Sequence, residues 1–303
     1  MNSLTMTAIR SVLRGISQIF FLSNSWSGLL ILLGIGIFDV RMAVLVLLGS
    51  AIQGLGAWAL GAGEEASQGL MGYNGALIGA VLGYELHDWK AGVLLTMIGA
   101  FACIPVHRLF QNFFALPVLQ RAQLPVSTAP FCTVAGLLFA LVAHWITTGV
   151  PSSSEEPFFG TFLGIANEFA EVVLTDGWVT GLFIIAALFV GSWKIGLFGL
   201  LGSIVSALFL VLLPLSINID DVSTGLYGYS AVLVSIALGT IFLNHLSLTT
   251  RILLALLGTV FTWIVQALLA LTVIPVYTWP FLVSLWIVMV LVAKTRQVSM
   301  GEK

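Results

Sequence analysis

Few ionisable residues fall inside the apolar stretches of this sequence, and Glu171 is the clearest, with Glu168 close to it. A carboxylate at membrane depth is costly and is a functional candidate by default. Glu171 has a counterpart 153 residues earlier, Gln18, and both side chains present an oxygen acceptor. Glu168 faces Gly15 in the same comparison and reads as structural. Thr128 and Thr278 form a second pair, each two residues before a proline at the start of an apolar segment. A threonine there, taken singly, caps a helix; the identical context in both places argues for a shared role. Tyr73 and Leu77, and again Tyr229 and Leu233, lie one helical turn apart on one face, a stripe that ordinarily packs. These residues supply acceptors and flat apolar surface, not a nucleophile. There is no Ser-His-Asp arrangement, phosphate loop or HExxH, and His87, His107, His144 and His245 show no ligand spacing. No enzyme activity, metal or cofactor is therefore expected. Cys103 and Cys132 read as small buried hydrophobes.

The elements that must hold these residues are membrane helices. Apolar types make up 59% of the 303 residues and charged types 8%, against roughly 25% charged in a soluble chain. That shortfall excludes a water-facing surface, and no basic tract points to nucleic acid. A helix needs about 20 apolar residues to cross a bilayer. Apolar runs recur at 26–39, 42–62, 70–84, 91–105, 107–119 and 126–147, then at 160–175, 178–192, 195–215, 226–243, 252–275 and 279–293. The run at 70–84 is too short to span alone, and Pro105, Pro125, Pro130, Pro275 and Pro280 interrupt others. Short or proline-broken segments at matching places in two halves point to a transport site.

The halves do match. GLMGYNGALIG at 69–79 reads against GLYGYSAVLVS at 225–235, each preceded by an acidic pair, Glu64-Glu65 and Asp220-Asp221, and a serine, Ser67 and Ser223. LPVSTAPF at 124–131 reads against IPVYTWPF at 274–281, and SQIFFLSNSWSGLL at 17–30 against AEVVLTDGWVTGLF at 170–183. The three offsets are 156, 150 and 153 residues. Three blocks in the same order at nearly one spacing indicate a duplication.

Between the copies lies the most polar stretch, 144–158, with Ser152 to Ser154 and Glu155-Glu156. Arg10 and Arg14 sit near one end of the chain and Lys294, Arg296 and Lys303 near the other. The positive-inside rule then predicts cytoplasmic termini and an external acidic loop. The N-terminal stretch lacks the apolar core and cleavage site of a signal peptide and is expected to be retained. The expected organisation is a first repeat at 1–147, an acidic linker at 148–158 and a second repeat at 159–303. A first half that begins inside and ends outside crosses an odd number of times, so the second copy is inverted, with a pathway where the two meet.

With these blocks in view, the sequence resembles the urea transporter family over essentially its whole length. The resemblance implies an all-α integral membrane protein of two inverted repeats, each with five transmembrane helices and one re-entrant pore helix, ten spans in all. It also implies a homotrimer in the plasma membrane, a pore within each protomer, and passive, channel-like passage of urea among membrane lipid. The urea pore would be lined at its two ends by Gln18-Ile19 and Glu171-Val172, with Phe21 as the aromatic beside the first pair and Leu174 in the corresponding second place. Tyr73, Leu77, Tyr229 and Leu233 match the pore-helix positions, where a buried tyrosine hydroxyl needs a partner, and Thr128 and Thr278 match the central constriction. Asn74 is replaced by Ser230 in the second copy, so a role for it is not symmetric.

The chemistry agrees. Urea is planar and neutral, with N–H donors along its edges and one carbonyl oxygen. A selective pore supplies a row of acceptors and thin apolar walls, without a fixed countercharge. The alternatives are a channel for another small neutral solute, such as ammonia, water or a short amide, and a non-transport membrane scaffold. Intramembrane histidines would favour ammonia and paired Asn-Pro-Ala turns water; the four histidines read as lying near segment ends, and no Asn-Pro-Ala turn occurs.

Overall fold

The computed structural model describes residues 3–142, 157–212 and 224–301. Most of the central acidic stretch, with Glu155-Glu156, lies outside the described residues, as do Asp220-Asp221 and Ser223. The first part of the chain folds into α1 (Ser3–Ser17), a 3-10 turn (Gln18–Phe20), α2 (Ser25–Phe38), α3 (Val40–Ala59), α4 (Gly63–Ser67), α5 (Tyr73–Glu85), α6 (Trp89–Phe114), α7 (Pro117–Gln120) and α8 (Ala129–Val142). The second part contains α9 (Pro157–Glu171), α10 (Trp178–Gly191), α11 (Trp193–Leu212), α12 (Tyr229–Ile236) running into a π turn (Ala237–Ile241), α13 (Leu248–Leu269) and α14 (Trp279–Gly301).

Polar residues between the apolar runs start these helices. The Asn24 side chain accepts from the backbone N–H groups of Trp26 and Ser27, Asp39 does so for α3, and Asp88 for α6. Each cap satisfies N–H groups that the helix itself leaves without partners. The expected break at Pro105 does not occur: α6 runs through it as one 26-residue helix. A proline inside a membrane helix is tolerated where neighbouring helices and local adjustment satisfy the freed backbone.

Among the described residues, three helices are individually long and apolar enough to span a bilayer, α3, α6 and α13, and α1 with α2 forms a pair bent by 75°. Large apolar side chains such as Leu94, Phe101, Leu253 and Leu268 are exposed on the outside. With so little charge, this is the surface of a helical membrane protein. In contrast, α5 is buried from Tyr73 to Leu82. A helix apolar all round belongs inside, and 13 residues fall short of the roughly 20 that a crossing requires. It packs between α3 and α6, and α12 packs likewise between α11 and α13.

Matching positions make matching contacts. Ser50 donates to the Val12 carbonyl at 2.9 Å, and Ser203 to the Ile165 carbonyl at 3.1 Å. Gly69 (φ 85°) and Gly225 (φ 83°) have left-handed backbones, and a Cβ on them would lie 2.4 Å from Arg14 backbone and 2.5 Å from Asn167 backbone. Ser27 of α2 donates to the Ala187 carbonyl of α10 at 2.7 Å, while Thr180 of α10 donates to the Gly34 carbonyl of α2 at 2.9 Å. The last pair is reciprocal, each helix giving to the other what it receives.

Candidate functional site

The paired blocks close on each other around two threonines. Thr128 and Thr278 lead into α8 and α14, and their hydroxyls lie 2.7 Å apart. Both are almost fully buried. Thr278 is also 3.1 Å from the Cys132 thiol.

The loop before each threonine is set by the same device. Ser127 (φ 45°) and Tyr277 (φ 36°) are non-glycine residues in the left-handed region, where L-residues are disfavoured without compensation. The Tyr73 hydroxyl donates to the Ser127 carbonyl at 2.7 Å, and the Tyr229 hydroxyl donates to the Tyr277 carbonyl. The first-residue tyrosine of each short buried helix therefore holds the turn that aims a threonine. Asn74 adds a second tie in the first copy: its Nδ2 donates to the Ser127 carbonyl at 3.4 Å and its Oδ1 accepts from Phe131 N–H at 3.0 Å.

A cavity of about 400 Å³ reaches Thr128, and a smaller one of about 170 Å³ reaches Thr278. The first is lined by Gln18, Ile19, Phe21 and Tyr73 among others. The second is lined by Glu171, Val172, Leu174 and Tyr229, with Phe131, Val276 and Tyr277. Gln18 donates its amide N–H to the Gln68 carbonyl at 3.1 Å, which leaves its Oε1 available as an acceptor. Gln18 and Glu171 both precede a tight turn, closed by Phe21 N–H to the Gln18 carbonyl and by Leu174 N–H to the Glu171 carbonyl, each at 3.0 Å. Phe21 (φ 61°) and Leu174 (φ 56°) share the left-handed backbone of that turn.

Leu77 and Leu233 line neither cavity. Each is 1% exposed and sits in the hydrophobic core. Glu168 is equally buried and stands outside both cavities, packed against Gly228.

Several lining residues escaped sequence reasoning. Tyr277 packs its ring on Phe131 at 5.4 Å and brings an aromatic face to the second cavity, where Leu174 offers none. It stands opposite Ser127 in blocks that also differ at Leu124/Ile274 and Ala129/Trp279, so comparison of the copies did not single it out. Phe242 meets Phe21 edge-on at 6.0 Å, and its position in the π-turn region had no sequence cue. His107 and Gln111 line the first cavity from α6.

Comparison with known proteins adds an independent line. A family model described as urea transporter matches residues 9–293. Urea transporter 1 of Mus musculus is 27% identical over 310 residues, covering 95% of this chain and 78% of that protein. Urea transporter 1 of Capra hircus is 26% identical over 308 residues, with the same coverage of 95% and 78%.

Proposed function

The chain belongs to the urea transporter family, and from that premise we propose that it carries urea passively through a pore running from the Gln18 cavity to the Glu171 cavity past Thr128 and Thr278. The observation that carries this reading is the sorting of the paired residues. Apart from Leu77 and Leu233, those of the first copy border one cavity, those of the second border the other, and the two threonines meet between them.

At each end an oxygen acceptor would receive urea N–H groups while a β-branched neighbour, Ile19 or Val172, and an aromatic ring bound the flat faces. Urea keeps its hydrogen bonds as it loses water, which is the requirement for permeation through a dry constriction. The threonine hydroxyls already share a hydrogen bond, so a passing urea would open that bond and substitute its own.

The finer architecture is part of the proposal. Ten spans in two inverted halves are supported by the reciprocal Ser27–Ala187 and Thr180–Gly34 bonds, since exchange of donor and acceptor between two equivalent helices is what a two-fold axis produces. Cytoplasmic termini, residence in the plasma membrane and assembly as a homotrimer with lipid around it complete the reading.

The test is urea efflux from proteoliposomes by stopped-flow light scattering. Saturable flux down the gradient, without accumulation when a proton or sodium gradient is imposed, is the expected result. Uphill accumulation would replace the channel with a coupled carrier, and no flux above empty vesicles would remove the function.

A further inference from the structure

We infer that His107 is a specificity-determining residue of the first cavity, donating an N–H to the carbonyl oxygen of the permeant amide. The inference rests on the urea-pore reading above.

His107 is 8% exposed and lines the cavity that contains Gln18 and Thr128. Its Nδ1 has no hydrogen-bond partner. Buried polar atoms in native proteins are almost always paired, and one that is not needs an explanation. At neutral pH an imidazole carries one N–H donor and one acceptor nitrogen. With no acceptor near Nδ1 to hold a proton there, the N–H falls to Nε2, the nitrogen that this inference directs at the permeant.

The need for a donor follows from the other walls. The Tyr73 O–H is committed to the Ser127 carbonyl, one N–H of Gln18 to the Gln68 carbonyl, and one of the two threonine hydroxyl hydrogens to the other threonine. What these groups leave over is mainly acceptor capacity, which suits the N–H edges of urea and does nothing for its carbonyl oxygen. Gln111 follows His107 by four residues on the same face of α6 and also lines the cavity, but it is exposed. The α6 wall therefore carries donors from the mouth inward, with the buried one nearer the protein interior. A ligand with donor edges only, or with a weak acceptor in place of oxygen, would gain little from it.

The experiment compares urea and thiourea flux, in proteoliposomes, for the wild type, His107→Phe and His107→Gln. Thiourea keeps the N–H edges and replaces the oxygen with a poorer acceptor. The Phe variant keeps a flat ring and loses the donor; the Gln variant restores a donor. Expected is a loss of urea flux of about tenfold in the Phe variant, the scale of one buried hydrogen bond, with thiourea flux changed less than about twofold and urea flux largely recovered in the Gln variant. Size-exclusion profiles and thermal melts normalise each flux to folded protein. Equal loss of both solutes, or unchanged urea flux in the Phe variant, overturns the inference while leaving the pore intact. Absence of urea flux in the wild type removes the pore reading and this inference together.

Discussion

Thr128 and Thr278, 150 residues apart in sequence, meet hydroxyl to hydroxyl at 2.7 Å. One must donate to the other, so only one of the two hydrogens remains for anything else. Neighbouring side chains break the equivalence. Thr278 has the Cys132 thiol at 3.1 Å as a second contact, whereas the Thr128 side chain has only its partner hydroxyl at this closest distance.

Replacing both threonines by valine keeps their size and removes both hydroxyls. Urea flux is expected to fall at least about tenfold, since an unmade hydrogen bond in a dry site costs about 1–3 kcal/mol. Stability should change little, because the only buried group that loses a partner is the weakly bonding Cys132 thiol. Thr278→Val alone strands Thr128 and should melt lower than Thr128→Val alone, which leaves Thr278 its thiol contact. Flux and melting temperature measured on all three variants check this; unchanged flux in the double variant would reduce the pair to helix capping.

Gln18→Leu and Glu171→Leu remove the acceptor at each end of the proposed path. Each is expected to reduce urea flux by roughly tenfold, from the same 1–3 kcal/mol of unpaired N–H donors. Stopped-flow efflux on folded variants is the measurement, and normal flux in both would dissolve the assignment of those oxygens.

Leu77 offers the opposite outcome. It touches core and not cavity, so Leu77→Ala should lower stability by about 2–5 kcal/mol and leave flux per folded molecule within about twofold. A selective loss of flux with an unchanged melting temperature would place Leu77 on the pathway after all.

Tyr73→Phe and Tyr229→Phe each remove a hydroxyl that ties down a left-handed turn. The Ser127 carbonyl retains Asn74 Nδ2 at 3.4 Å, while in the second copy the position of Asn74 is held by Ser230. Tyr229→Phe should therefore be the more damaging of the two in both melting temperature and flux. Equal effects would mean that the asparagine contact contributes nothing.

The sequence made the membrane class legible because 8% charged residues cannot clothe a water-soluble surface. It also exposed the threonines and the end oxygens, because both copies retain them. Comparison of copies finds only what both keep. His107 and Phe242 have no such counterpart to flag them, and Tyr277 stands opposite a serine, so the cavity walls they provide were hidden. Leu77 and Leu233 were retained in both copies for packing, which repetition alone does not distinguish from lining. Pro105 misled for a related reason: the rule that proline ends a helix is relaxed inside a membrane helix, and α6 runs on through Pro105, which sits on its exposed side.

The exchange of hydroxyls between α2 and α10 bears on how the molecule is made. When Ser27 leaves the ribosome, its acceptor on Ala187 is 160 positions away from being synthesised, and the Gly34 carbonyl waits 146 positions for Thr180. Through most of translation the newly inserted N-terminal segment holds an unfinished seam, open to the insertion machinery and to lipid. The seam closes only when α10 arrives, and then from both sides at once. A polypeptide truncated before α10 therefore leaves the Ser27 hydroxyl and the Gly34 carbonyl without these partners.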